Sequence, residues 1–159
     1  MTMRCMILVL AISGAVSAQS IPSDRKQLLS GEGMGQASYG EMNGYPGPKH
    51  VLELKSELGL TPDQTKKAEV LTQGVSNTAT IKGEEIVEAE EDLNNAFKSG
   101  TLNEKQLREK LERIGKLRAD LRFVHLQAHL KMKQILTATQ IAKYNELRGH
   151  GTESPKAVQ

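Results

Sequence analysis

The sequence predicts an all-helical fold, with two long antiparallel helices doubled back on each other and a short helix at each outer end. Three observations lead there. Leu, Lys, Glu and Ala are plentiful, while aromatic residues make up 3% and tryptophan is absent, a composition that suits long helices better than sheets. A five-residue phrase occurs twice, as Leu60-Thr61-Pro62-Asp63-Gln64 and Leu136-Thr137-Ala138-Thr139-Gln140, each where a helix would begin. Between them runs a stretch whose apolar residues Leu107, Leu111, Ile114, Leu117, Leu121, Val124, Ala128, Met132 and Ile135 share one broad helical face.

The elements follow in chain order. Arg4 precedes an apolar run from Met6 to Ile12, and Val16-Ser17-Ala18 ends in the small-x-small pattern of a cleavage site. Residues 1–18 therefore read as a secretory signal peptide, too short to anchor in a bilayer, and the mature chain as an exported protein of the periplasm, not embedded in a membrane. The single cysteine, Cys5, falls inside that signal, so no disulfide framework is supported. Residues 19–47 are polar, with six glycines from Gly31 to Gly47 and no apolar period, which predicts a flexible leader.

The helical domain is expected over 48–149. Pro48, favoured in a first turn, opens a short helix with Val51, Leu54 and Leu58 on one face and Gly59 as its stop. Thr61 then caps the first long helix, with Gln64 reaching back three residues on. Unbroken from Pro62 to Lys98 it would span roughly 55 Å, and Gly74 and Gly83 predict a bend or soft stretch in its middle. After a tight turn at Gly100, Asn103 with Gln106 forms the next capping box and the return helix begins. Thr137 and Gln140 cap a last short helix from Ala138 to about Arg148, which Gly149 closes. Residues 150–159 read as a disordered tail. Lys67 and Leu71 recur as Lys143 and Leu147, so the repeat extends beyond the phrase itself.

Charge gives little direction. Without Arg4, twenty basic side chains face nineteen acidic ones, a balance that offers no general attraction to nucleic acid, and the basic arm has few interleaved aromatics. Enzyme motifs are missing too: the mature chain has no cysteine, no Gly-x-Ser-x-Gly, no phosphate loop and no His-Glu-x-x-His. The expectation is a binding protein and not an enzyme. Acidic residues from Glu84 to Asp92 and basic residues from Lys105 to Arg122 would meet across the hairpin, mostly as solvated ion pairs.

His125 and His129, four residues apart on the return helix, can point to one side and share a metal, with Met132 as a further soft donor. The same spacing also suits two hydrogen-bonded residues inside a bundle. Phe123, Leu126 and Leu130 form a second apolar stripe across the return helix, which calls for a homodimer partner, a folded-back short helix or a client chain. Arg118 and Arg122 beside it would steer acidic segments.

The paired LTxxQ phrases, the signal peptide and this helix order resemble the Spy/CpxP and heavy-metal-resistance family of periplasmic proteins, over about residues 48 to 149. The resemblance implies a four-helix hooked hairpin, dimeric, with a concave face. From the nickel- and cobalt-sensing members it implies a metal site, for which His50, Glu69 and His125 are the matching residues here, with His129 where those members carry methionine and Leu54 where they carry a second histidine. The expected function is a metal-binding sensor or buffer for Zn, Cu, Ni or Co in envelope stress. The alternative is an ATP-independent holdase for unfolded envelope proteins, with docking on a membrane sensor protein as a further possibility.

Overall fold

A computed structural model describes residues 22–150. The expected signal peptide, and the tail beyond His150, lie outside the described residues. Six helices follow one another: α1 (Arg25–Ser30), α2 (Ser38–Met42), α3 (Pro48–Glu53), α4 (Pro62–Ser99), α5 (Glu104–Ile135) and α6 (Ala138–Leu147). Among the described residues there is no strand, and no helix is long and apolar enough to cross a membrane.

The three long-range landmarks of the hairpin begin as local chemistry. Thr61 Oγ1 accepts from the Gln64 N–H at 3.2 Å while Gln64 Oε1 accepts from the Thr61 N–H at 3.0 Å. Asn103 and Gln106 repeat this reciprocal pair at 3.0 and 3.1 Å, and Thr137 and Gln140 at 3.2 and 2.9 Å. Each pair satisfies N–H groups that a helix start leaves open. Gly100, at φ +67°, ends α4 in the left-handed conformation that a side chain resists, and the chain reverses. The arms then run antiparallel: Asp92 meets Lys110, Glu90 meets Arg118, and Gln64 reaches Ile135 at the far end.

Several expectations change. The short helix expected to reach Gly59 ends at Glu53 and continues as turns, held by Leu58 N–H to Leu54 O and Leu60 N–H to Lys55 O. α4 is unbroken through Gly74 and Gly83. Gly83 is a point of contact instead of weakness, because a Cβ there would stand 2.0 Å from the Leu28 carbonyl oxygen. Leu111, expected on the buried face of α5, is 50% exposed.

The largest correction concerns residues 22–47. Expected as a flexible leader, this segment folds as α1 and α2 and packs on the hairpin, so the described residues hold six helices and not four. Leu28 supplies the reason: it is 1% exposed and packs with Ala79, Ile86, Val87 and Leu121. Asp24 and Arg25 add ion pairs to Arg118 and Glu91. The glycines are turn formers, with Gly31, Gly35 and Gly44 all at positive φ.

Two apolar clusters result. One joins α1 to the middle of the hairpin around Leu28, Ile86 and Leu121. The other gathers Val51, Leu58, Ala68, Met132, Leu136 and Tyr144 where α3 and α6 fold against the open ends of the arms.

Candidate functional site

The two LTxxQ glutamines meet. Gln64 Nε2 donates to Gln140 Oε1 at 2.9 Å and Gln140 Nε2 donates to Gln64 Oε1 at 3.0 Å, a reciprocal amide pair between residues 76 apart. Each amide also donates to a carbonyl at the end of the other repeat's preceding segment, Gln64 to Ile135 O at 3.0 Å and Gln140 to Leu58 O at 3.3 Å. The caps thus do two jobs: each starts its own helix and latches the opposite one.

The histidines do not assemble as expected. His125 and His129 share one face of α5 and are both buried, at 7% and 8% exposure. Their surroundings come from the leader, which sequence reasoning left out. Gly33 lies against the His125 ring, and His129 Nδ1 stands 2.7 Å from the Tyr45 carbonyl oxygen, which can only accept, so Nδ1 carries the hydrogen. His125 Nε2 is buried with no hydrogen-bond partner among the described residues. Burial, reinforced by the charge of His129, holds its pKa below the ordinary imidazole value of 6.5.

His50 lies across Gly47 from His129, and its Nδ1 is 2.7 Å from Glu53 Oε2. Glu69 is exposed and opens onto a separate cleft with Lys55, Ser56 and Lys66. Met132 is wholly buried in the apolar cluster at the hairpin's open end. Among the described residues no three His, Cys, Asp or Glu side chains converge as a metal-holding group. The set His50, Glu69, His125 and His129 therefore does not fit a shared metal ion.

The two arginines of the expected client surface make contacts within the chain. Arg118 donates to Asp24 Oδ2 at 2.8 Å and to Glu90 Oε1 at 2.8 Å, bridging leader, α4 and α5. Arg122 sits over the Tyr39 ring, 5.4 Å from its centre, and Lys133 over Tyr45 at 3.7 Å. Phe123 and Leu130 stay 59% and 51% exposed, with Leu126 half-buried between them.

The Arg118 hydrogen bond is the main cause that lowers the Asp24 pKa from 3.8. A carboxylate pKa depressed by folding stabilises above its unfolded value and ceases to do so as pH falls through the folded one. The protection of the α1 amides, meaning their exchange rate relative to an unstructured chain at the same pH, is therefore expected to fall between roughly pH 5 and pH 2. An Asp24→Asn chain should show the lower protection throughout; a fall of equal size in both chains would place its cause elsewhere.

At the other end of the leader, Glu41 Oε1 accepts from the Tyr144 hydroxyl at 2.9 Å and from Arg148 at 3.3 Å. Burial first, then this hydrogen bond, push the Tyr144 pKa well above its ordinary value, so the hydroxyl remains a donor.

A concave face is expected, but not on these residues: an open groove runs between the arms. Its wider part, about 590 Å³, is lined by Val70, Leu71 and Ile135 and rimmed by Lys66, Lys131 and the ion pair of Lys67 with Asp63. A narrower part of about 240 Å³ continues from the same Val70, Leu71 and Lys131 past Val75 and Val124. Val70 is 65% exposed. A signal existed, since Val70, Gly74 and Ile81 lie on one side of α4, outside its core stripe.

Compared with protein-family models, curated proteins and solved structures, the chain matches none.

Proposed function

We propose that this chain is an exported, non-enzymatic holdase of the Spy/CpxP type, which shields apolar segments of unfolded envelope proteins without nucleotide or metal. The observation that carries this reading is the groove: an open apolar floor of Val70, Leu71 and Ile135 under a rim that Lys66 and Lys131 leave basic beside the Asp63–Lys67 pair. Such a site offers area to apolar side chains and attraction to flanking carboxylates, without demanding one sequence. In this reading the hooked-hairpin likeness extends to the dimer, with Phe123, Leu126 and Leu130 as the face for a second copy. A metal sensor draws less support, because Glu69 stands apart from the histidines and the Met132 side chain is wholly buried in the core.

Suppression of aggregation of a chemically unfolded protein, in buffer free of nucleotide and metal, is the test. Val70→Lys places a charge at the groove mouth, and at 65% exposure it should change stability by no more than about 0.5 kcal/mol. A buried Val contact is worth roughly 1.5 kcal/mol, so the variant is expected to need roughly tenfold more protein for equal protection. Equal protection by Val70→Lys removes the groove. No protection by the wild type removes the holdase itself. Loss with Phe123→Ala and Leu130→Ala, but not with Val70→Lys, would move client binding to the outer face of α5.

A further inference from the structure

The seat of α1 on the hairpin reads one turn of helix at three points. Gly83, buried in α4, leaves a notch that the Leu28 backbone fills so closely that a Cβ would meet the carbonyl oxygen at 2.0 Å. Arg118 offers both guanidinium nitrogens to the two Asp24 oxygens, at 2.8 and 3.4 Å. The Leu28 side chain, 1% exposed, enters the apolar cluster of Ile86 and Leu121. All three recognition points lie on the long arms, far from α1 in the chain; Arg118 is 94 residues from Asp24.

α1 itself has little hold of its own. Six residues are too few for a stable isolated helix, so its helicity comes from the seat. Leu29 beside the anchor is 40% exposed. Covering the face also carries costs that undocking relieves. Met34, in the connection after α1, is held at φ +44°, and His125 Nε2 beneath the segment is buried without a partner among the described residues.

We propose that this seat is an exchangeable peptide-binding site, taking a short helical segment with a carboxylate four residues before a leucine, and that α1 is its resident occupant. A partner chain carrying that pattern displaces α1 and docks in its place. The proposal does not depend on the groove, which is built from other residues.

The probe is a fluorescent peptide of residues 22–31, and the protein is the full chain. Leu28→Ala removes α1's anchor and leaves the seat intact, so this chain is expected to bind the peptide saturably. Wild type should bind it roughly tenfold more weakly, since its own α1 competes. Adding Gly83→Ala to the Leu28→Ala chain should abolish binding, and Asp24→Asn in the peptide should weaken it roughly fivefold. Amide exchange of residues 25–31 in the wild-type chain is the second readout, valid even where a variant folds poorly: excess peptide should quicken it. Exchange unchanged at saturating peptide overturns the proposal, and so does binding that survives Gly83→Ala.

Discussion

Gln140→Ala is expected to destabilise the chain by about 3 kcal/mol, and Gln64→Ala by about as much. An exposed cap alone would cost about 1 kcal/mol. The difference lies in the second set of bonds. Removing the Gln140 amide takes away the Thr137 N–H acceptor, the Leu58 carbonyl's donor and both halves of the pair with Gln64. The Leu58 carbonyl and the Gln64 amide left behind are part-buried and cannot all find water, which adds to the loss. Urea unfolding of the two single variants and the double should give a coupling energy of about 1 to 2 kcal/mol, because the second substitution has no amide left to orphan. Additive losses would mean that the two glutamines cap their own helices and nothing more.

Gly83→Ala should lower stability, against the usual sign for a glycine inside a helix. Alanine there gains about 1 kcal/mol of helix propensity. Its Cβ also excludes Leu28, and the loss of that burial, about 2 kcal/mol, and of the partly exposed Asp24–Arg118 pair, about 1 kcal/mol, outweighs the gain. A net loss of about 2 kcal/mol is expected, with α1 exchanging freely and the long arms still helical. Gly115→Ala is the control. Beyond its own turn of helix nothing lies within 4 Å of a Cβ built at Gly115, so the same change should stabilise by about 1 kcal/mol. Thermal unfolding with amide exchange resolves both; equal signs at the two positions would disprove the notch.

Much of this architecture is written in local residues. Three reciprocal caps, at Thr61, Asn103 and Thr137, start helices where the sequence places them, and Gly100 reverses the chain, because each needs only neighbours within four residues. The leader was illegible for the opposite reason. Its main apolar anchor, Leu28, forms no period, and the partners that order it lie on the long arms and α6, tens of residues away in the chain. A subtler signal stood in α4: Ala79, Gly83 and Val87 recur every four residues, a strip of modest side chains that lets another backbone come close. The histidine pair shows the limit of spacing arguments. That His125 and His129 share a face was legible; that Tyr45 and Gly33 would be their neighbours was not, since the pattern of one helix says nothing about what covers it.

The order in which the chain is made gives the docked leader a further meaning. Asp24 waits for Arg118, and Glu41 for Tyr144, contacts 94 and 103 residues apart. The segment of α1 and α2 thus precedes its partners in the chain, and it stays loose until α5 and α6 have followed it. Docking of this segment is in effect a report that both arms and α6 are in place.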